Sequence, residues 1–372
     1  MVFLVRQRLQ LAQRKDNVMK VLFLSAWYPT PRDAMAGLFV QKHADAVAQQ
    51  GHDVRVLYSE STGINWICDM YKGWKKLQKE WGKPNIVQMN VLDKNGIIAL
   101  WLKRRFHIPY VIIEHWSGYL PANFAFQGGW HGWIMRHIAK QASCIMPVSQ
   151  MLENAMKQCD IYNKNWQRIY NVVDDFFYHP IIPIAITPKK KKFRFLHVSC
   201  FDEKAKNIQG MLRAVREVAK QRQDFELVLV GTGIDFDQDL AYANSLGFPA
   251  DMLTFVGEQT PYEVAQWMQQ SDCFLLFSRY ETFAVVLAEA IAVGIPFISS
   301  STAGIAAEQP NHCGILVPSE DEKALTKAMS DMLSNHHNFS KKEIKVQGEK
   351  YTYQNVGKQL SDLYQRLVIS MN

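Results

Sequence analysis

The stretch that decides the fold is residues 272–301, with the sequence DCFLLFSRYETFAVVLAEAIAVGIPFISSS. Its first seven residues form an apolar run of the length of a strand. Residues 283–293 are rich in Ala, Leu and Val and stop at Gly294, with Pro296 just beyond, which predicts a helix and its end. The strand-like PFISS follows. We therefore expect one strand–helix–strand unit, and such units build parallel sheets with right-handed crossovers.

Two carboxylates flank the predicted start of this helix. Glu281 lies in the loop that leaves the first strand, and Glu289 lies in the otherwise apolar helical segment. Ligands of open α/β sheets bind beyond the carboxyl ends of the strands, where a helix N-terminus attracts an anion. A phosphate at residues 283–286 would have a carboxylate on either side, and carboxylate oxygens accept hydrogen bonds from sugar hydroxyls. A structural alternative stays open, in which Glu281 is solvated and Glu289 pairs with a buried arginine, since an unpaired buried carboxylate is costly.

Composition and charge place the chain among soluble globular proteins. Its 372 residues predict two domains, and 48% hydrophobic with 21% charged residues is ordinary for this class. The net charge of +7 suits anionic ligands such as nucleotides, or an acidic membrane surface. No zinc-finger or RNP-like signature is present, so nucleic acid is not a predicted partner. The six cysteines include no CxxC pair, which predicts free core thiols in a reducing, cytoplasmic compartment.

Two segments bear on a contact with membranes. No apolar run is long enough for a transmembrane helix, and residues 1–18 lack the features of a signal peptide, so we expect an extension without a role. Residues 71–83 combine several lysines with Trp74, Leu77 and Trp81 on one helical face. This pattern fits an interfacial helix on anionic lipid at the inner face of the membrane. It fits better a surface helix whose aromatic side chains reach the core and whose lysines are solvated.

The first half of the chain reads as a doubly wound domain. A strand and turn at 20–30 are followed by a loop that contains Gly37 and by a helix at 39–50. Gly37 would let the backbone approach a ligand closely, or would simply serve a turn. His115 ends a later strand in EHWSGY, so it lies at the carboxyl edge of the predicted sheet. Both a structural and a ligand-facing role are open for it.

The second half restarts the same alternation of strands and helices after an irregular segment. Residues 177–192 carry three prolines and a run of four lysines without periodicity, which predicts a linker. The expected division is an N-terminal extension at 1–18, an N-terminal domain at 19–180, a linker at 181–192, a C-terminal domain at 193–340 and C-terminal helices at 341–372.

An alternating run of aspartates is the one candidate for a metal site. Asp235, Asp237 and Asp239 resemble the start of a calcium loop, but Leu246 occupies the twelfth position, where such a loop needs its glutamate. We therefore expect this run to be solvated and the protein to hold no metal.

From Lys20 onward the chain resembles the retaining glycosyltransferases of family 4. The most specific sign is ETFAVVLAE with the following GIPFISS, which matches the Glu-x7-Glu motif and the trailing Gly-x-Pro strand of that family. GLFVQKHADAVAQQGHDVRVL, EHWSGY and RIYNVVDDFFYHP support the resemblance in the first half, and KNIQGMLRAV, LTFVGE and GILVPSEDEKAL support it in the second. The implied fold is α/β, of the GT-B type, with two Rossmann-like domains facing across a cleft and the C-terminal helices packing back on the first domain.

The resemblance also implies roles for matching positions. Glu281 would contact the hydroxyls of the transferred sugar, Glu289 would hold the ribose, and Lys206 would neutralise the leaving diphosphate. His115 would face the reacting sugar, and Gly37 would lie near the diphosphate and the acceptor. Asn207, which follows Lys206, is also implied to bind the donor. Glu258, Gln259 and Thr260 would border the base. The positions that would meet the sugar or the diphosphate are Thr282, Phe283, Ala284, Val285 and Val286.

Some positions depart from the pattern of the family. Cys200 stands where an arginine is common, so the diphosphate would meet Lys206 either alone or together with Lys204. One cation in place of two would weaken the binding of the diphosphate, since charge-assisted contacts are the strong ones. The other departures are Gln88 for a common histidine, and Thr282 and Ala284 for a pair of glycines.

The expected function is therefore a metal-independent, retaining transfer of a hexose or N-acetylhexosamine. The donor would be a nucleotide-diphosphate sugar, with UDP favoured, and the acceptor a saccharide or lipid-linked saccharide in cell-envelope polysaccharide biosynthesis; no cofactor is implied. A GT-B-type epimerase or phosphorylase is the enzymatic alternative, although no lysine site for the pyridoxal phosphate of a phosphorylase is recognisable. A non-catalytic subunit that binds sugar nucleotides is the third possibility.

Overall fold

The computed structural model describes residues 2–6, 18–31, 33, 35–126, 128–181 and 192–370, the first five by their backbone. The chain divides into two compact units. Unit 1 comprises Met1–Val172 and Thr352–Asn372, and unit 2 comprises Val173–Tyr351. In the described parts of the chain, each unit contains one six-stranded sheet with helices between its strands. The α/β class with two Rossmann-like units is thus confirmed.

Unit 1 is built on a sheet with the strand order β1-β3-β2-β4-β5-β6. Its strands are β1 (Val2–Arg6), β2 (Lys20–Ser25), β3 (Asp53–Ser59), β4 (Ile86–Asn90), β5 (Tyr110–Glu114) and β6 (Cys144–Pro147). Its helices are α1 (Leu38–Gln49), α2 (Gly63–Trp81), α3 (Asn95–Phe106), α4 (Gly129–Gln141), α5 (Gln150–Gln158) and α13 (Tyr353–Ile369). Strands β2 to β6 pair in parallel, and β4 and β5 are buried along their whole length. Apolar runs covered by helices on both faces are typical of parallel sheets.

The first described residues extend this sheet. Strand β1 pairs antiparallel with β3, from Val2 opposite Ser59 to Arg6 opposite Arg55. The expectation that residues 1–18 have no role is therefore wrong for 2–6, because these residues satisfy the backbone hydrogen bonds along one edge of β3. Residues 7–17 lie outside the described part of the chain.

Helix α13 returns to unit 1 and packs against α1. A Cβ on Gly357 would lie 2.3 Å from the carbonyl oxygen of Ala46, so the two helices approach through their backbones. Ser361 Oγ lies 2.7 Å from His52 Nε2. The hydroxyl of Tyr364 donates to the side-chain oxygen of Gln88, which is buried in β4. Gln88, a departure from the family pattern, thus connects α13 to the core.

Unit 2 is built on a parallel sheet with the order β12-β11-β10-β7-β8-β9. Its strands are β7 (Phe193–Val198), β8 (Phe225–Val230), β9 (Leu253–Gly257), β10 (Cys273–Leu276), β11 (Phe297–Ser300) and β12 (Gly314–Val317). Its helices are α6 (Glu203–Lys206), α7 (Ile208–Ala219), α8 (Phe236–Ser245), α9 (Pro261–Gln269), α10 (Val285–Val293), α11 (Glu322–Asn335) and α12 (Lys341–Gly348). The predicted strand–helix–strand unit is confirmed as β10, α10 and β11, with Gly294 ending the helix at a φ of 86°.

The boundaries of the two units differ from the expected ones. The division falls after Val172 and after Tyr351, whereas the sequence placed the C-terminal helices 341–372 together on the first domain. Helix α12 packs on α10 within unit 2, because Gly348 lets the two backbones meet: a Cβ there would lie 2.9 Å from Ala292 Cα. The predicted linker at 181–192 lies outside the described residues except for its two ends.

The side chains expected on an interfacial face of residues 71–83 are buried instead. Trp74, Leu77 and Trp81 in α2 are 1%, 2% and 6% exposed, and Trp81 Nε1 donates to Asp53 Oδ2 at 2.7 Å. The interpretation as a surface helix whose aromatic side chains reach the core therefore holds. The prediction that Trp74, Leu77 and Trp81 contact lipid is wrong. Among the described residues, we find no helix that combines the length and the apolar character needed to span a membrane.

Candidate functional site

A charged cluster lies beyond the carboxyl ends of β10 and β7 in unit 2. Lys206 Nζ donates to Glu281 Oε1 at 2.5 Å, and Ser278 Oγ donates to the same oxygen at 3.0 Å. The side chains of Lys206 and Glu281 are only 13% and 14% exposed, so water screens their attraction less than at the surface. Two of the predicted catalytic residues, 75 positions apart in sequence, are thus in direct contact.

Lys206 carries its positive charge in this cluster. Burial alone would lower the pKa of Lys206, but the Glu281 carboxylate and neighbouring groups outweigh burial and raise it from its ordinary value. The ammonium group is therefore fully protonated at neutral pH. The cluster offers an anionic ligand one permanent cation.

The loop between Glu281 and α10 is held in a defined shape. Glu281 N donates to Thr302 O at 3.2 Å, and Ile305 N donates to Phe283 O at 3.0 Å. Ala284, the residue before α10, has a φ of 64°, a conformation that residues with a side chain adopt at a cost and that recurs at functional sites. The first N–H groups of α10 follow this loop, and such groups lack carbonyl partners within their own helix. This arrangement suits an anion.

The side chains along this loop differ in what they can offer a ligand. Phe283 is buried, and its ring lies edge-on to that of Tyr351 at 5.7 Å, so only its backbone remains for a ligand. Thr282, Val285 and Val286 are half-buried. Backbone contacts at 283–286, as the sequence predicted, are therefore compatible with the structure.

Arg279 is a site residue that sequence reasoning missed. Its backbone N–H donates to Ala205 O at 2.7 Å, and its guanidinium donates to Asn207 Oδ1 at 2.8 Å and to the carbonyl oxygen of Glu203. Asn207 itself has a φ of 52°. Arg279 thus fixes the turn from which Lys206 extends. The one sequence signal was its place two residues before Glu281.

We expect Arg279→Ala to weaken the binding of a nucleotide diphosphate about tenfold, because a mobile α6 turn no longer holds Lys206 in place. Arg279→Lys should restore little, since an ammonium cannot reproduce the fork of contacts. Isothermal titration with UDP measures the effect. Arg222→Ala, which removes a half-buried arginine paired with Asp224 outside the cluster, is the control. Equal affinity in both variants would contradict the positioning role.

Glu289 lies in α10 and is 8% exposed. Burial first, then the charges of Asp175 and Glu289, raise the pKa of Tyr178, whose hydroxyl donates to Gly348 O at 2.9 Å. The carboxylate of Glu289 thus lies in the electrostatic environment of Tyr178, while that of Glu281 meets Lys206. The ribose-binding role of Glu289 stays a prediction.

The segment after β9 was predicted to border the base. Thr260 caps α9, since its Oγ accepts from Glu263 N at 3.3 Å and its N–H donates to Glu263 Oε2 at 2.8 Å. Gln259 Nε2 donates to Glu258 O at 2.8 Å. Strand β9 is three positions from β10 in the sheet, which is about 14 Å at the usual strand spacing. A ligand that reached from Glu281, which follows β10, to this segment would have to be extended.

In unit 1, Gly37 precedes α1 with a φ of 66°. A Cβ at this position would lie 2.6 Å from the backbone carbonyl of Trp27. A close approach between the two loops therefore requires glycine here, which is a structural reason for the residue. Its predicted place beside a diphosphate stays a prediction.

His115 follows β5 at the carboxyl edge of the unit 1 sheet. Its ring packs on Phe39 with centroids 4.1 Å apart and lies 5.7 Å from the ring of His43. Burial lowers the pKa of His115 well below its usual range, so the imidazole is neutral. Within the described residues, its buried Nε2 has no hydrogen-bond partner. Depending on the tautomer of the ring, this nitrogen can therefore donate a hydrogen bond to a ligand or accept one from it.

The prediction that the aspartate run is solvated is wrong for Asp235 and Asp239. Asp235 Oδ2 accepts from Glu203 N at 2.8 Å, and Asp239 is buried with Gln209 Nε2 at 3.2 Å. Burial raises the pKa of Asp239 to about 6. Across the described residues, no group of three or more His, Cys, Asp or Glu side chains has the geometry to hold a metal ion.

The cysteines of the described chain are free, but they are not all core residues. Cys68 and Cys200 are exposed, while the other four are buried. The expectation of core thiols is therefore wrong for these two. Cys200 lies close enough to Lys206 to act on it electrostatically.

Two family models match the chain, one in each half. The model of Glycosyltransferase Family 4 matches residues 61–175, and the model of Glycosyl transferases group 1 matches residues 192–335. The chain belongs to the family 4 glycosyltransferases. The second match includes Lys206, Arg279, Glu281 and Glu289.

Curated relatives of this family 4 chain align over part of their length. It is 31% identical over 179 residues to the N-acetyl-alpha-D-glucosaminyl L-malate synthase of Bacillus anthracis, covering 46% of this chain and 45% of that protein. It is 27% identical over 200 residues to the N-acetylgalactosamine-N,N'-diacetylbacillosaminyl-diphospho-undecaprenol 4-alpha-N-acetylgalactosaminyltransferase of Campylobacter jejuni, covering 52% of each. The chain thus spans about half the length of these curated relatives.

A solved structure is similar to this chain over almost its whole length. HepE of Anabaena in complex with UDP-glucose superimposes with a TM-score of 0.71 at 16% identity, covering 94% of this chain and 100% of that one. At such low identity the likeness concerns the fold alone. That fold is GT-B, with two parallel-sheet α/β domains.

Proposed function

We propose that the protein is a retaining glycosyltransferase that moves a hexose or N-acetylhexosamine from a UDP-sugar to a saccharide acceptor carried on a lipid. The observation that carries this proposal is the buried pair of Lys206 and Glu281 beside the N-terminus of α10. A sugar diphosphate needs positive charge at its phosphates and hydrogen-bond acceptors at its sugar hydroxyls. This cluster offers both within one loop.

In the proposed reaction, the bond between the anomeric carbon and the diphosphate oxygen breaks, and its electron pair leaves with the diphosphate. Lys206 and the first N–H groups of α10 stabilise the negative charge that develops there, which is catalysis by preorganised electrostatics. The acceptor hydroxyl then bonds to the anomeric carbon on the face that the diphosphate leaves, and its proton passes to the departing phosphate oxygen. This route uses no protein nucleophile and no metal.

The two glutamates take different parts of the donor in this proposal. Glu281 Oε1 already accepts from Lys206 and Ser278, which orients the carboxylate so that its remaining lone pairs can accept from sugar hydroxyls. Glu289 is assigned to the ribose. His115 is assigned to the reacting sugar, on the basis of its neutral ring and its unused nitrogen.

The donor and acceptor classes are supported by similar proteins. The structure of HepE contains UDP-glucose, and the names of both curated relatives contain an N-acetylated hexosamine. The Campylobacter jejuni enzyme is named for an acceptor linked to undecaprenol through a diphosphate. We extend these classes to this chain, in the synthesis of cell-envelope polysaccharide.

A thermal-shift titration with UDP- and GDP-sugars tests the donor assignment. A ligand that binds the folded state stabilises it by an amount that grows with concentration, about 2.7 kcal/mol at one hundred times Kd. We expect one UDP-sugar to raise the melting temperature of the wild-type protein more than any GDP-sugar. Glu281→Gln, which keeps the shape of the side chain and removes its charge, should fold and respond less to that sugar.

The same donor then serves a transfer assay with lipid-linked saccharide acceptors. Nuclear magnetic resonance of the product gives the anomeric configuration, and we expect it to equal that of the donor. An inverted product, or the absence of stabilisation by every sugar nucleotide, would refute the proposed function.

A further inference from the structure

The outward face of helices α2, α3 and α4 in unit 1 is apolar and exposed. We call it the aromatic face and define it by seven side chains, each between 36% and 78% exposed: Ile64, Ile67, Tyr71, Ile97, Trp101, Trp130 and Trp133. Soluble proteins expose single apolar side chains everywhere, but a contiguous patch of this kind marks a contact surface. On α2, the exposed Ile67 and Tyr71 lie seven and three residues before the buried Trp74, so the face borders the buried stripe of that helix.

Ring contacts and one hydrogen bond make the face continuous across the three helices. Tyr71 of α2 meets Trp101 of α3 with ring centroids 6.4 Å apart. Arg104, on the next turn of α3, lies 3.0 Å from His137 Nε2 of α4. The ring of His137 stacks on Trp133 at 5.8 Å, and Trp133 stacks on Trp130 at 5.0 Å. One surface therefore runs from α2 to α4.

Apolar and basic residues are separated along this surface. Helices α2, α3 and α4 connect the parallel strands β3, β4, β5 and β6, so all three run in the same direction. In each helix the exposed apolar residues lie in the first half or at the middle, and the basic ones follow. The basic residues of the second halves are Lys72, Lys75, Lys76, Lys79, Lys103, Arg104, Arg105, Arg136 and Lys140.

These helices also hold the charge excess of the protein. Together they carry nine Lys and Arg against two Asp and Glu, a net of +7, which equals the net charge of the whole chain. The aromatic face thus adjoins a strongly cationic surface, which attracts the negative potential of anionic lipid headgroups. Trp and Tyr are also the residues that favour the boundary between headgroups and acyl chains.

We propose that the aromatic face docks unit 1 on an anionic lipid surface. The apolar halves of the helices enter the boundary of the acyl chains, and the basic halves lie among the headgroup phosphates, as in interfacial helices. The helix N-termini are at the carboxyl edge of the unit 1 sheet, where Gly37 and His115 also lie. The edge at which the resemblance places the acceptor, through Gly37, is thus the edge nearest the lipid. The docking itself does not depend on the proposed transfer reaction.

Vesicle flotation of the full-length protein tests the proposal. We expect the protein to float with phosphatidylcholine vesicles that contain about 30% phosphatidylglycerol, to stay unbound with phosphatidylcholine alone, and to be released by salt. The double variant Trp130→Ser and Trp133→Ser should bind about tenfold more weakly. Tyr162→Ser, which removes another exposed aromatic side chain of unit 1, should bind like the wild type.

Two charge-reversal variants distinguish the effect of the charge next to the aromatic face from the effect of the net charge on vesicle binding. The double variant Arg104→Glu and Arg105→Glu should lose at least tenfold in affinity for the anionic vesicles, because each reversal removes the attraction of one arginine to the anionic headgroups. The double variant Lys323→Glu and Lys327→Glu changes the net charge equally on exposed positions of α11 in unit 2 and should bind normally. The melting temperature of each variant checks its fold.

Three outcomes overturn the proposal. The first is a wild-type protein that ignores anionic vesicles, and the second is equal binding by the face variants and their controls. The third is a dimer in solution that forms without lipid and is lost in the Trp130 and Trp133 variant, as measured by sedimentation. In that case a second copy of the chain occupies the aromatic face. Because none of these variants touches the cluster around Lys206, stabilisation by the donor reports separately on the proposed function.

Discussion

Replacing Lys206 by methionine is expected to lower kcat for sugar transfer by about 10²–10³-fold, the usual effect of removing one group that stabilises a developing oxyanion. Methionine keeps the apolar stem and removes the ammonium that contacts Glu281 at 2.5 Å. Burial makes this charge more effective than a surface charge. Initial rates at saturating donor measure the change, and the KM for the donor should rise less than kcat falls.

Lys204→Met is the matched control for this prediction. Lys204 lies two residues earlier in α6, and its side chain is exposed, so its loss should change kcat by less than threefold, within the range of a weak surface charge. A similar loss in both variants would mean that the two lysines share the role. Unchanged transfer by Lys206→Met would refute the role assigned to Lys206.

The pH profile of the wild type gives an independent check. The pKa of Lys206 is raised from its ordinary value of 10.5, because burial lowers it by less than Glu281 and the neighbouring groups together raise it. The charge is therefore present at every pH below that value, and its contribution is lost as the pH rises through the raised pKa. Rates between pH 7 and about 9 should thus show no loss from deprotonation of Lys206.

Replacing Gly304 by alanine is the second change with a large expected effect. Gly304 has a φ of 53°, and a Cβ there would lie 2.3 Å from the backbone of Phe283. The left-handed backbone and the clash together should cost about 2–5 kcal/mol of the free energy of unfolding. Because Phe283 belongs to the loop between Glu281 and α10, transfer should fall as well, even at temperatures where the variant remains folded.

Gly247→Ala distinguishes the cost of the left-handed backbone from the cost of the clash with Phe283. Gly247 also lies in unit 2 and has a φ of 64°, but a Cβ there would meet no atom within 4 Å. It should therefore cost only the backbone term of about 1–2 kcal/mol and leave transfer unchanged. Thermal unfolding and transfer rates of the two variants provide the comparison. If both lose the same stability, the contact between Gly304 and the Phe283 backbone has no energetic weight.

The resemblance to family positions predicted Glu281 and Lys206 as site residues, but it did not predict that they contact each other. Only the tertiary structure shows this contact. Each residue lies in a short polar loop next to an apolar strand, and that pattern is visible locally. Arg279 gave no such signal, because its partners, Glu203, Ala205 and Asn207, lie more than 70 residues earlier in the chain. A hydrogen bond between distant loops has no local pattern in sequence.

Helix α2 illustrates a different limit. Its sequence predicted an aromatic stripe next to lysines and left open whether that stripe meets lipid or the core. Burial of Trp74 shows that it meets the core. The exposed apolar residues of α2 lie along the border of the same stripe, where Tyr71 meets Trp101 of α3. A helical period indicates which residues share a face. The neighbours of that face come from other segments of the chain.

The sequence by itself determined the alternation of strands and helices, the central unit of β10, α10 and β11, and the two glutamates on either side of the start of that helix. These features depend on local hydrophobic periodicity and on residues such as Gly294 that end a helix. Only the tertiary structure decided that Val2–Arg6 adds an edge strand, that α12 stays in unit 2 while α13 returns to unit 1, and that Arg279 holds the turn of Lys206. Each of these depends on contacts between segments far apart in the chain, and the free energy of such contacts comes from packing that no single segment specifies.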